Sequence, residues 1–206
     1  MEAAKGSGRP APVRDPDLPV PAGKVGPGKM VLVVGPSGSG KDTLISALKE
    51  RCMGRDDLVF ARRLITRSPD AASEDHDTLT MAEFDHLAAS GELALSWRAH
   101  GLGYCLPKAC DTAIEQGRTV IANGARRILG EANAKYARFQ VILVTAPVDV
   151  LAARLAARGR EGETEIRARL AQADLDVHDV PNVTRIENTG TIEAAVGQII
   201  DALGTV

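Results

Sequence analysis

The stretch MVLVVGPSGSGKDTL, Met30 to Leu44, restricts the possible folds of this chain more than any other. Met30–Val34 is an unbroken apolar run, the pattern of a strand covered on both faces. From Lys41 onward the pattern turns helical, and the residues between are Gly35, Pro36, Ser37, Gly38, Ser39 and Gly40. With Lys41 they fit G-x-x-x-x-G-K. Gly38 and Gly40 let the backbone take positive φ, so successive N–H groups converge on phosphate oxygens. The helix that follows turns its positive end toward the same anion, and Lys41 adds a mobile charge. The expected element is a strand, a phosphate-binding loop and a helix, with Gly35–Thr43 as the nucleotide site.

The rest of the chain supports an α/β reading. β-rich runs fall at 30–34, 58–65, 118–122, 139–145 and 183–187. Helical stretches fall at 41–52, 107–116, 125–136, 148–158, 163–176 and 191–203. This alternation predicts a three-layer P-loop kinase fold, with a central, mostly parallel sheet between helices. The segment 66–106 breaks the rhythm. Thr80 and Glu83 have capping-box spacing, and a short helix follows with Phe84, Leu87 and Ala88 on one side. ELALSWRAHGLGYCLP then reads as extended chain with glycine turns. An insertion of this kind is expected to form a small acceptor-binding subdomain.

Residues 1–29 hold six of the eleven prolines and no apolar period, and are expected to be a disordered leader to a single 30–206 domain. Hydrophobic residues make up 44% of the chain and aromatics 3%, so the core must be mainly aliphatic. The formal charge of −2 argues against nucleic acid as a partner. Cys52, Cys105 and Cys110 suit neither a disulfide framework nor a zinc site and are expected to be free thiols. Without a membrane-spanning run or signal sequence, the chain reads as cytoplasmic. A homodimer is left open.

Asp42 stands where this motif usually carries the hydroxyl that binds Mg²⁺, and Thr43 follows it. Asp42 has two readings, as a metal-linked carboxylate or as a cap on the helix start. Asn123 ends the run TVIAN, where P-loop proteins commonly carry an acid, so Asp42 is expected to take over part of that acid's role. Trp97, Arg98, His76 and His100 offer a ring face and donors, and Arg126 or Arg127 could hold a phosphate. Each also has a plainer reading: Trp97 as core, the histidines as surface, and Arg62, Arg63, Arg126 and Arg127 as solvated strand or helix faces. Arg154 and Arg158 share a helix face, while Glu163–Arg167 and Glu165–Arg169 fit simple i,i+4 pairing.

GPSGSGKDTL, LITRSPD, EFDHLAASGELAL, GLGYCLP and RLAARGREGETEIRARL together resemble the guanylate kinase-like family of P-loop kinases. Asp42 and the block Trp97–Tyr104 make the chain similar, within that family, to the ribose 1,5-bisphosphate phosphokinases. The resemblance implies ATP as phosphoryl donor, Mg²⁺, and a sugar bisphosphate as acceptor, giving phosphoribosyl pyrophosphate. It implies that Lys41, Arg158 and Arg169 are catalytic, the latter two on an Arg-rich lid over 158–169. It matches Arg67 and Tyr104 to acceptor-phosphate ligands, and places His76 at a further acceptor position. Asp70 replaces a second arginine of the guanylate kinases, and Leu95 replaces the carboxylate that reads guanine. A buried leucine leaves guanine donors unpaired at about 1–3 kcal/mol each. Two alternatives stand beside this reading: a nucleoside monophosphate kinase acting on GMP, and a non-catalytic interaction module of the same fold.

Overall fold

A computed structural model describes residues 19–67, 76–157, 170, 177 and 180–204. Its centre is strand β1, Lys29–Val34, which is hydrogen-bonded on both sides. The strands β2 (Leu58–Phe60), β7 (Thr119–Asn123), β8 (Phe139–Thr145) and β9 (Val183–Glu187) complete a parallel sheet in the order β2-β7-β1-β8-β9. Met30 to Val34 are each fully buried. Met30, Leu32 and Val34 join a core on one face of the sheet, and Val31 and Val33 one on the other. That two-sided burial is why the run has no polar alternation.

On the Val31 side lie α1 (Lys41–Arg51) and α6 (Ile192–Leu203), which contribute Leu44, Leu48, Ile199 and Leu203. The opposite side is covered by α3 (Ala109–Glu115) and by α4 (Leu129–Lys135), which follows a 3₁₀ turn at Arg126–Ile128. Helix α5 (Val148–Ala156) packs Leu151 and Leu155 with Leu170.

The remaining strands form a second sheet, in the order β4-β3-β6-β5. They are β3 (Arg63–Ile65), β4 (His76–Thr78), β5 (Leu93–Ala99) and β6 (Leu102–Pro107). Helix α2, Met81–Ser90, has the expected capping box. The Thr80 N–H and hydroxyl both donate to Glu83 Oε2, at 2.6 and 2.8 Å, and these bonds hold the Glu83 carboxyl below the usual carboxylate range. The expected strand 58–65 is two strands in two sheets. The Ala61 N–H still donates to the Ile121 carbonyl, and from Leu64 the chain pairs with β6 instead. Apolar pattern cannot show such a change of sheet, because both halves bury residues.

Residues 19–29 fall in the expected leader, and the part nearest β1 is tied to the domain by its backbone. The Val25 N–H donates to Lys135 O at 2.9 Å, and the Gly28 N–H to Ile114 O at 2.8 Å. Backbone attachment of this kind leaves no side-chain period to read; residues 1–18 lie outside the described residues. The expected lid 158–169, with Arg158 and Arg169, and Asp70 also lie outside them. Among residues 163–176 only Leu170 is described, and it is helical. Cys105 and Cys110 are free and buried, and burial pushes their thiols up to about 11 and about 12. No helix among the described residues is long and apolar enough to cross a membrane.

A candidate phosphoryl-transfer site

The loop joining β1 to α1 has the backbone its glycines predict, with φ of 84° at Gly38 and 87° at Gly40. A Cβ at Gly40 would also lie 2.5 Å from Asn188 Nδ2. That amide donates to Ser39 O at 2.8 Å, while Arg154 donates to Asn188 O at 2.9 Å. Asn188 and Arg154 thus brace the loop from beyond β9 and from α5. Sequence reasoning placed Arg154 on a helix face without this role and passed over Asn188, since nothing local marks a residue 149 positions from its partner. Lys41 Nζ folds back over the loop, donating to Gly35 O at 2.9 Å and Pro36 O at 3.0 Å. The Ser39 hydroxyl is fully buried with no hydrogen-bond partner among the described residues. An orphaned donor of this kind costs about 1–3 kcal/mol, a feature expected where a ligand completes the bonding.

Asp42 lies in the first turn of α1, and no side chain caps that helix start. Its carboxylate accepts from Asn123 Nδ2, at the end of β7. The two positions that the sequence linked by exchanged chemistry therefore touch. Asn123 Oδ1 is buried without a partner among the described residues. A carboxylate, an amide oxygen and the neighbouring Thr43 hydroxyl are hard oxygen donors of the type Mg²⁺ prefers. No group of three His, Cys, Asp or Glu gathers among the described residues.

Beside Asp42 opens a cleft of about 260 Å³. Asp42, Thr43 and Lys49 line it from α1, Asn123 from β7, and Arg62 and Arg63 from the crossing between the two sheets. Arg62 pairs with Asp77 at 3.2 Å, both side chains more than half exposed, so this ion pair contributes only tenths of a kcal/mol. Arg63 is half-buried, with its guanidinium 5.4 Å from the Tyr104 ring centre. Tyr104 stacks on Trp97 with centroids 5.5 Å apart and planes 7° from parallel. These rings are cross-strand partners in β5 and β6, and Trp97 belongs to the main core.

The expected acceptor residues do not all gather here. Tyr104 faces Arg63, and Arg67 is half-buried just past β3. Arg126 is half-buried in the 3₁₀ turn after Asn123. His100 sits exposed at the tip of the β5–β6 hairpin, with φ 51°, and does not line the cleft. Its neighbour Arg98 turns toward α2, pairing with Asp85 and lying 5.0 Å from the Phe84 ring centre. His76 begins β4 and pairs with Arg63. Leu95 is 1% exposed and in the core, opposite Leu106 on β6. The sequence offered for Arg63 only the reading of a solvated strand face, although Arg63, Ile65 and Arg67 have the same parity along an extended chain.

Comparison with known proteins agrees with this geometry. The AAA domain family model matches residues 31–173. A ribose 1,5-bisphosphate phosphokinase of Rhodopseudomonas palustris is 48% identical over 81% of this chain and 83% of its own length. A bifunctional ribose 1,5-bisphosphokinase-thymidine phosphorylase of Cupriavidus necator is 46% identical over 86% of this chain, which spans 29% of that longer protein. Among solved structures, a guanylate kinase from Anaplasma phagocytophilum superposes with a TM-score of 0.60 at 17% identity, covering 88% of this chain and 86% of that one.

Proposed function

The chain belongs to the ribose 1,5-bisphosphate phosphokinase family, and we propose that it transfers the γ-phosphoryl group of ATP to the 1-phosphate of ribose 1,5-bisphosphate. The products are phosphoribosyl pyrophosphate and ADP. The observation that carries this reading is the cleft beside the phosphate loop. Among the described residues it presents Lys49, Arg62 and Arg63, and its one acid, Asp42, is engaged by Asn123. Leu95, buried in the core, offers no carboxylate to a guanine edge.

An oxygen of the 1-phosphate attacks the γ-phosphorus as the bond to the β-bridging oxygen breaks, and ADP leaves with that electron pair. The attacking oxygen is already ionised at neutral pH, so no general base is needed. What the protein must offset is repulsion between two polyanions and the charge spread over the transferred group. Lys41 and the loop N–H groups hold the donor phosphates. Asn188 holds the Ser39 carbonyl of the loop, and Arg154 in turn holds Asn188. Arg67 and Tyr104 hold the acceptor. Arg158 and Arg169 close over the donor as a lid and exclude water that would otherwise accept the phosphoryl group. Asp42, Thr43 and Asn123 would hold Mg²⁺, which when bound neutralises phosphate charge. A cytoplasmic location and a single kinase domain over 30–206 belong to the same reading.

The test is product analysis by phosphorus NMR after incubation with ATP, Mg²⁺ and ribose 1,5-bisphosphate, beside an ADP-release assay with GMP. A diphosphate at C1 with the sugar substrate, and negligible turnover of GMP, is the expected result. Preferential turnover of GMP would make the chain a nucleotide kinase, and failure to bind ATP would leave only an interaction module. Asp42→Asn should raise the Mg²⁺ concentration for half-maximal rate by about 10–100-fold. An unchanged Mg²⁺ profile would remove Asp42 from the metal site.

A further inference from the structure

We propose that Arg63 is a specificity-determining residue of this site, its guanidinium binding the 1-phosphate of the acceptor, the group that receives the transferred phosphoryl. The inference rests on ribose 1,5-bisphosphate being the acceptor. Arg63 opens β3 at the point where the chain leaves the main sheet, so its side chain stands at the junction of the two sheets. Asp42, Thr43 and Asn123 border the same cleft at the end of the phosphate loop. An anion lodged there is next to the donor, which the reacting phosphate requires.

Support from beneath makes Arg63 suited to this role. Its guanidinium lies over Tyr104, and Tyr104 is itself stacked on the core residue Trp97. A guanidinium laid on a ring uses its face for the contact and keeps its N–H donors at the edge, where they match two phosphate oxygens. The stack also limits the rotamers that binding must freeze.

A panel of truncated ligands separates phosphate binding from simple bracing of the Tyr104 ring. Ribose 1-phosphate and ribose 5-phosphate are measured as competitive inhibitors of the native enzyme and of Arg63→Gln, alongside ATP affinity. The expected result is a loss of roughly ten- to a hundredfold for ribose 1-phosphate, with ribose 5-phosphate and ATP within about twofold. Equal weakening of both sugar phosphates, or no weakening of either, overturns the assignment while leaving the proposed reaction standing. A native enzyme that makes no phosphoribosyl pyrophosphate removes both. Should Arg63→Gln not fold, Arg63→Lys, which keeps the charge without the planar fork, should show the same split at smaller amplitude. An equal response to the two ligands in that variant overturns the assignment as well.

Discussion

Replacing Lys41 by alanine lowers turnover by about 10²–10³-fold, the size expected for one charge-stabilising donor aimed at the transferred group. The ammonium is held over the loop by the carbonyls of Gly35 and Pro36, at 2.9 and 3.0 Å. It therefore lies over the loop whose N–H groups are proposed to hold the donor phosphates. Its two hydrogen bonds are charge-assisted but partly open to solvent, which limits their contribution to about 1 kcal/mol each. A melting temperature within a few degrees of native, with turnover collapsed, is the expected pair of measurements. Turnover within a factor of five would show that the loop alone stabilises the transferred charge.

The largest effect on stability is expected at Asp111, far from the chemistry. This carboxylate is fully buried on α3. Its Oδ1 accepts from the Tyr136 hydroxyl at 2.8 Å, and its Oδ2 is paired with Lys108 and Lys135, each at 2.8 Å. Lys135 also donates to Ala94 O at 2.6 Å, so one cluster joins α3, α4 and β5. Asp111→Ala leaves a buried phenol without its acceptor and lysines without their anion, a loss of about 3 kcal/mol. For a domain of this size that corresponds to a melting point lower by about 6–12 °C.

The pH dependence has a definite sign. Burial raises the Asp111 carboxyl, but the bonds from Lys108, Lys135 and Tyr136 outweigh it and hold the group below its usual value of 3.8. The stabilisation is therefore complete above that value and is lost as pH falls through the depressed one. The gap in melting temperature between native protein and Asp111→Asn should be constant near neutrality and narrow in acid. A melting point for Asp111→Ala within about 2 °C of native, well under the expected shift, would count against the cluster. So would a gap that stays constant in acid.

Most of the main sheet could be read along the chain. Strands 139–145 and 183–187 have the expected bounds, and β1 and β7 differ by a residue or so. A parallel sheet buries each central strand on both faces, so its strands appear as unbroken apolar runs. The small sheet was less legible. Its helix declared itself through Thr80 and Glu83, but its first strand was hidden inside 58–65. The donor half of the site was legible because contiguous backbone makes it. The acceptor half draws on segments far apart in the chain, which no local pattern brings together.

The sequence by itself determined a phosphate-binding loop between a buried strand and a helix, because glycine freedom, helix polarity and a single lysine act within a few residues. It also linked Asp42, a carboxylate gained in the loop, to Asn123, an amide where an acid is usual. Only the tertiary structure decided that these two, 81 residues apart, meet side chain to side chain. The same holds for Arg63 resting on Tyr104 and for Asp111 drawing Lys135 and Tyr136 to itself. Such contacts depend on how sheets and helices stack, and stacking is settled by the sum of many weak, non-directional burial terms. No local run of residues encodes that sum.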